Sequence, residues 1–407
     1  MLRDRNIRHL VLARLISSAG VEASFFVGLW GKAAYEFNGT PADLAIMSGL
    51  IGLGMIAGSL VGGVLVDRWD ARRVVLAAEV IFVPATLLLV FATSISKLLV
   101  LGVFSWFAGG VLETALVSMP PALVAPEQLE RANARLESAN WLALVAGPAI
   151  GAVIASVISV NAIFVFDAMT SVIALGLIGR VQLRPRAAAV REAGTSSLRE
   201  AREGLRYALR SPQISLVLFL SALTALAFGV FVALEPLYYR DVLGRSIETI
   251  GWVNALFGVG LFAGSIAVER SSGRLGTFRA LIVLSVLAGL GSAVYVGTAN
   301  LSWVLVGAIA WSVPLGAALP VGRTLAQRAT AEGFMGRVMG ATSMVQQAAG
   351  IVPVVFAPAL AAWLGVQGVL LASGLGVVVF APLVWSRARA LDAGTATTEA
   401  AVGASLR

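Results

Sequence analysis

ALIVLSVLAGLGSAVYVGTANLSWVLVGAIAWSVPLGAALPVG, Ala280 to Gly322, carries no charged side chain, and only Thr298-Ala299-Asn300 breaks its apolar character. A helix needs about 20 apolar residues to cross a bilayer. The stretch therefore holds two crossings joined by a tight turn. Val338 to Ser386 repeats the arrangement with a break near Gly365-Val366-Gln367. Ser138 to Gly179 repeats it again, interrupted only by Asp167, with a break near Ser159-Val160-Asn161. The remaining apolar runs, near 10–34, 42–66, 73–94, 98–122, 213–235 and 247–268, bring the expected number of spans to twelve.

Composition agrees. Of 407 residues, 58% are hydrophobic and 13% charged, against about 25% charged in a soluble domain. The runs are long and rich in Leu, Ala and Val rather than alternating, which points to helices and away from a barrel. The fold class read here is an all-α membrane protein. There is no cysteine, and the one histidine, His9, lies in the polar amino-terminal arm, so disulfide, metal and redox chemistry lack their residues and no cofactor is expected. The net charge of +8 does not indicate nucleic acid, because the arginines sit in short clusters between apolar runs. The first run, from near Leu10, is too long for a signal-peptide core and reads as a retained first helix.

Those clusters orient the chain. With the amino terminus in the cytoplasm, Arg3, Arg5 and Arg8 share that side with Arg68, Arg72 and Arg73, then Arg131 and Arg135. The central loop from Arg180 to Arg210 follows, and later Arg270 to Arg279, Arg323 to Arg337 and Arg387 to Arg407. The opposite side receives only Lys32, Lys97, Arg240 and Arg245. Such asymmetry implies that both termini lie in the cytoplasm.

The long polar segment Val181 to Pro212 divides the chain into a half at 1–180 and a half at 213–386. Within the linker, Ser197 is placed to cap a helix over Leu198–Leu209. Its apolar stripe (Ala201, Leu205, Ala208, Leu209) opposes a basic one (Arg199, Arg202, Arg206, Arg210), suggesting a helix on the cytoplasmic leaflet in contact with lipid. The tail at 387–407, rich in Ala, Thr and Gly, is expected to be disordered. Gly49, Gly58, Gly62, Asp67, Arg68 and Arg72 recur 202 positions later as Gly251, Gly260, Gly264, Glu269, Arg270 and Arg274, and Arg135 and Arg337 share the offset. An ungapped match of glycine, acid and arginine implies duplication. Six spans per half give parallel repeats that can rock around a midplane site.

Gly63-Val64-Leu65-Val66-Asp67-Arg68-Trp69-Asp70-Ala71-Arg72-Arg73, between spans 2 and 3, resembles the signature loop of the major facilitator superfamily. Gly147-Pro148-Ala149-Ile150-Gly151 in span 5 is similar to the glycine-proline motif of its exporters, although Ala152 replaces the second closing glycine. Pro121 to Pro126, Arg131-Ala132-Asn133-Ala134 and Phe166-Asp167-Ala168 also look like the bacterial drug and siderophore exporters, the enterobactin exporter and macrolide efflux-like branch. The resemblance implies two six-helix bundles. It also implies a conformational latch from Gly63, Asp67, Arg68, Arg72 and Arg73, echoed by Glu269 and Arg270, in which Asp67 pairs with arginines and a helix amino terminus of the other half. Asp70 stands where the family often has glycine, and Ala71 where it often has a basic residue. A further family arginine is missing, since Ser105 precedes Gly109 in span 4, so coupling through it is carried differently or is absent.

A charge at the bilayer centre costs about 2.5–3.5 kcal/mol on insertion scales, which makes such residues functional candidates. Arg14, Ser18 and Glu22 lie one helical turn apart on span 1, with Phe25 and Leu29 continuing the face. In the exporters it resembles, an acid directly follows the glycine corresponding to Gly20; here Val21 intervenes before Glu22. Glu113 shares a stripe of span 4 with Trp106 and Gly110, which would leave room for substrate. An ion pair of Glu22 with Arg14 is the alternative to proton coupling. Glu79 and Asp167 read as hydrated groups near span ends, and so does Glu235. Thr224, Phe228, Phe231 and Glu235 on span 7, with Thr342, Gln346 and Gly350 on span 11, would complete a cavity.

The function expected is proton-coupled export of amphipathic small molecules by a monomer, using alternating access. Neither Lys32 nor Lys97 is followed by Ser or Thr, so no nucleotide-binding G-x-x-x-x-G-K-[ST] loop exists. The alternatives are an inward or lipid-type facilitator, a non-transporting sensor or scaffold, and a membrane-embedded enzyme. The last lacks a G-x-S-x-G motif and a histidine within any span.

Overall fold

In hydrocarbon every backbone N–H and C=O must find its partner inside the segment, which long Leu-, Ala- and Val-rich runs achieve as helices. The computed structural model of the chain describes residues 5–182, 197–271, 275–331 and 334–394, and all regular elements among them are helical. They are α1 (Arg5–Ala23), which continues through π turns at Ser24–Leu29 and Lys32–Glu36, α2 (Pro41–Arg68), α3 (Ala71–Leu88), α4 (Ile95–Val117) and the short α5 (Pro120–Leu123). Next come α6 (Pro126–Val157), α7 (Val160–Ile178), α8 (Ser197–Arg210), α9 (Pro212–Leu237), which continues as a π turn at Tyr238–Val242, and α10 (Ile247–Arg270). The last are α11 (Phe278–Val296), α12 (Leu301–Arg328), α13 (Met335–Ile351) and α14 (Pro353–Phe380).

Among the described residues, 11 helical runs are long and apolar enough to cross a membrane. The last of them, Arg337–Gly394, has 58 residues, far more than one crossing uses. Gly365 interrupts it with φ 70° and ψ 165°, a left-handed backbone that glycine adopts without Cβ strain. The run is therefore two spans, and the total is twelve. The polar residues at the other hairpin turns act as helix caps. Asn300 accepts from Ser302 N at 2.8 Å and Ser159 from Ala162 N at 3.2 Å, while Thr40 and Asp43 form a reciprocal capping box at α2.

Lipid tails are as apolar as leucine, so close backbone approach does much of the work of helix association. On α2, Gly54, Gly58 and Gly62 face Val103, Phe107 and Val111 of α4, and Gly110 of α4 faces Met55 and Ser59 in return. A Cβ at Gly58 would overlap the Phe107 carbonyl. In the second repeat, Gly260 and Gly264 of α10 meet Ser312, Val313 and Ala317 of α12. The recurring glycines thus serve the same packing in both halves. Gly58→Leu is expected to destabilise the protein by about 1–3 kcal/mol, the usual range for overpacking. Gly63→Leu, whose Cβ would meet nothing within 4 Å, leaves the thermal unfolding midpoint in detergent unchanged; equal midpoints for the two variants refute the assignment.

The chain forms two compact units, Met1–Ala189 with Pro236–Gly258, and Val190–Glu235 with Val259–Arg407. They differ from a simple division at the linker. The ends of α9 and α10 beside the turn that joins them belong to the first unit because Arg240 donates to the Ala34 and Gly39 carbonyls, Tyr35 donates to the Arg245 carbonyl at 3.0 Å, and Gly251 lets α10 reach Pro148 and Val27. The linker helix α8 joins the second. Gly204 admits the Arg337 backbone, Arg337 pairs with Glu203 at 3.2 Å, and Tyr207 stacks on Phe334 at 4.8 Å. The expected leaflet helix is therefore docked on α13, with Ala208 buried and Leu209 exposed.

The tail also differs from expectation. Helix continues through residues 385–394, Ala388 is buried, and Asp392 accepts from Phe278 N and Arg279 Nε at 2.9 and 2.8 Å. The acid binds the amino terminus of α11, so disorder does not begin at Arg387. Residues 183–196 of the linker, the tail beyond Gly394, and Arg3, Arg184, Arg186, Arg191, Arg274 and Arg407 lie outside the described residues, as do the side chains of Ser197, Arg199 and Ala201.

Candidate functional site

In the first unit, α1, α4 and α6 bring their polar side chains together. Arg14 of α1 forms a two-pronged ion pair with Glu113 of α4, its Nη2 donating to Oε1 at 2.9 Å and, at 3.1 Å, to Asn140 Oδ1 of α6. Glu113 is therefore the partner of Arg14, and the alternative pairing of Arg14 with Glu22 is replaced. Glu22 stands half-buried one turn beyond Ser18, with Arg14 and Glu113 the charges acting on it. Phe25 touches Trp106 at 5.6 Å between ring centroids, Trp30 at 5.9 Å and Phe26 at 5.1 Å. Guanidinium, carboxylates, amide and aromatic rings thus lie within one helical cluster.

The exporter-type motif supports this cluster directly. A Cβ at Gly147 would stand 2.6 Å from Glu22 Cβ and 2.7 Å from the Ala19 carbonyl, and one at Gly151 would stand 3.1–3.2 Å from Val27 and Ala23. Gly147 and Gly151 therefore seat α6 on α1 at the turn that carries Glu22. Pro148 lies within the continuous α6, its carbonyl against Gly251.

Several expectations change. The π turns after Ala23 alter the helical phase, so Leu29 is fully buried instead of continuing the Arg14 face. Ser18 is buried, and Gly110 is filled by α2, leaving no room there for substrate. Glu79 is not near a span end but midway along α3, fully buried, and Asp167 is well inside α7 and 2% exposed. Lys32, read as a lysine of the far side, is buried too; its ammonium donates to the Leu89 and Val90 carbonyls at 3.2 and 2.9 Å and to Asn161 at 2.6 Å. It ties the end of α1 to the carboxyl end of α3, where a cation is favoured. Asn140 and Lys32 were the residues missed. Their signal was a polar side chain inside an otherwise apolar run.

At the loop between α2 and α3, Asp67, Arg68 and Arg73 are exposed. Asp70, which departs from the family pattern, caps α3 by accepting from Arg72 N at 2.7 Å. The Arg72 guanidinium donates to the carbonyls of Ile178 and Gly179, closing the carboxyl end of α7. Gly63 makes no close contact at its Cβ position. Glu269 and Arg270 lie exposed at the end of α10.

In the second unit, Phe231 is fully buried and packs on Trp311 at 4.4 Å and Tyr295 at 6.0 Å, and Phe228 reaches Trp311 at 6.2 Å. The Tyr295 hydroxyl donates to Glu235. Because α9 runs on through its π turn, Glu235 lies inside the span rather than at its end. A small cavity is lined by Thr224, Phe228, Ser292 and Trp311. Gln346 is half-buried on α13, and Thr342 donates to its own helix at Val338.

A family profile described as Major Facilitator Superfamily matches residues 10–354 and 218–406. The chain is 25% identical over 227 residues to macrolide efflux protein A of Streptococcus pyogenes, covering 54% of this chain and 55% of that protein, about half its length. It is 28% identical over 302 residues to the enterobactin exporter EntS of Shigella boydii serotype 18, covering 72% and 70%. Solved structures share the fold. A POT family transporter in complex with 5-aminolevulinic acid superposes with a TM-score of 0.77 at 13% identity, over 95% of this chain and 96% of the other. A bacterial homologue of the iron transporter ferroportin, in an inward-facing state, does so at 0.72 and 18%, over 95% and 99%.

Proposed function

Because the chain belongs to the Major Facilitator Superfamily, and is thus a multi-pass membrane transporter of small molecules rather than an enzyme, we propose that it is a proton-coupled exporter of amphipathic compounds. The observation that carries the reading is Glu22. It is a half-buried acid of α1, seated on Gly147 of the glycine-proline motif and flanked by Phe25, while the neighbouring Arg14 is already engaged by Glu113. An acid without a fixed counter-ion can exchange its charge for a proton or for a cargo, whereas Arg14 and Glu113 hold their charges in place. The efflux and export roles named for the relatives support the outward direction. In the second unit, Phe228, Phe231, Trp311 and Glu235 supply apolar and polar contacts suited to an amphiphile.

In this reading the protein works as a monomer in the inner membrane, with both termini in the cytoplasm, as the arginine asymmetry indicates. Asp67, Arg68, Arg73, Glu269 and Arg270 serve as the cytoplasmic latch. Proteoliposomes of known orientation test the proposal. A proton gradient should drive a cationic or neutral fluorescent amphiphile against its concentration in the export direction, with proton counter-movement read by a pH dye. Flux that ignores the gradient, equal in both directions, overturns the coupling and identifies a facilitator.

A further inference from the structure

A second group of polar side chains, apart from the Arg14 network, lies between α1, α3 and α7. Glu79 is fully buried and Asp167 is 2% exposed. Both carboxylate oxygens of Glu79, Oδ1 of Asp167, and the hydroxyls of Ser24 and Ser171 are buried without a hydrogen-bond partner. Asp167 and Ser171 are one turn apart on α7. The Ser171 hydroxyl faces Glu79, and the Ser24 hydroxyl faces Asp167, each near enough to act on the acid but outside hydrogen-bonding geometry. A Cβ at Gly20 would stand 2.9 Å from Asp167 Oδ1 and 3.0 Å from its Cα. Glycine at that position is what lets α1 close over the acid.

Among the described residues, neither acid has a cation as a hydrogen-bond partner, and Asp167 is a charge that bears on Glu79. On the packed elements, Arg14 is held by Glu113, Lys32 by Leu89, Val90 and Asn161, and Arg72 by Ile178 and Gly179. His9 Nδ1 and Arg135 Nη1 make no hydrogen bond to either acid. Two carboxylates enclosed in apolar surroundings without a cation cannot keep their charges, and one proton on each is the simplest neutraliser. A metal ion would need more donors, and among the described residues no three His, Cys, Asp or Glu side chains gather to hold one.

We propose that Glu79 and Asp167 are both held as neutral carboxylic acids, a proton-binding cluster separate from Glu22, whose loading allows α1 to close on α7. One proton, delivered by a hydronium ion that departs as water, adds to a carboxylate oxygen of each acid. The Ser24 and Ser171 hydroxyls turn to donate to the remaining lone pairs. Release requires water, hence withdrawal of α1 from the Gly20 contact. The use of this site in transport rests on the exporter reading; its occupancy in the resting protein does not.

Infrared difference spectra of the full chain in nanodiscs, titrated from acid to alkaline pH in H2O and D2O, test it without any substrate. The expected result is a protonated-carboxyl C=O stretch present at neutral pH that E22Q keeps, that E79Q and D167N each diminish, and that the double variant removes. A spectrum that neither E79Q nor D167N alters overturns the proposal. So does a carboxylate band that moves with NaCl or CaCl2, which would assign the pair to a metal cation. Thermal unfolding gives a second measure if one variant folds poorly. The folded chain holds protons that the unfolded chain releases, so the midpoint falls as pH rises. That slope becomes shallower in E79Q, D167N and the double variant, and a slope as steep as wild type in the double variant also overturns the assignment. Undiminished coupling in E22Q with the infrared band intact would refute the role of Glu22 alone.

Discussion

Glu22→Gln is expected to abolish gradient-driven accumulation of an amphiphile while leaving its exchange across the membrane at equal pH intact. A one-unit pH gradient carries about 1.4 kcal/mol per proton, which supports accumulation of about tenfold for one proton per cargo. Glutamine keeps the shape of the side chain against Gly147 and Ala19 and removes only the exchangeable proton. The fold and the contact between Phe25 and Trp106 remain. Proteoliposomes preloaded with the amphiphile separate the two readouts, since counterflow needs binding and rocking but no proton. Undiminished accumulation in E22Q would remove Glu22 from the mechanism. Loss of counterflow as well would make Glu22 a binding or structural residue instead.

Arg14→Met is expected to destabilise the protein by about 3 kcal/mol, toward the lower end for breaking a buried ion pair, because Glu113 keeps some contact with solvent. The cost arises less from the lost attraction than from leaving the Glu113 carboxylate and Asn140 inside the bundle without their donor. The double variant Arg14→Met with Glu113→Gln therefore recovers much of the loss. The unfolding midpoint in detergent, measured for both singles and the double, gives the coupling energy of the pair. If Arg14→Met unfolds with the wild-type midpoint, the pair is not holding α1 to α4 and Arg14 is free to serve transport directly.

Both predictions turn on contacts that adjacency in the chain does not reveal. Arg14 and Glu22 look like natural partners, two turns apart on one face, yet Arg14 turns to Glu113 because α4 and α6 approach that face. Glu79 and Asp167 looked peripheral because runs of hydropathy locate the ends of spans only to within several residues. The helices α3 and α7 put both acids well inside. The π turns after Ala23 carry no compositional mark, and they moved Leu29 off the expected face.

Hydropathy and charge alone determined that this chain crosses the membrane as helices, with the hairpin breaks at Ser159, Asn300 and Gly365 and the glycine repeat of two halves. These are legible because span length, backbone satisfaction in lipid and arginine placement act locally along the chain. Which acid meets which base was decided only by the tertiary structure. A buried charge takes whatever partner packing brings to it, and packing here is set by glycines such as Gly20, Gly58 and Gly147, whose missing side chains show nothing until the opposing helix is in place.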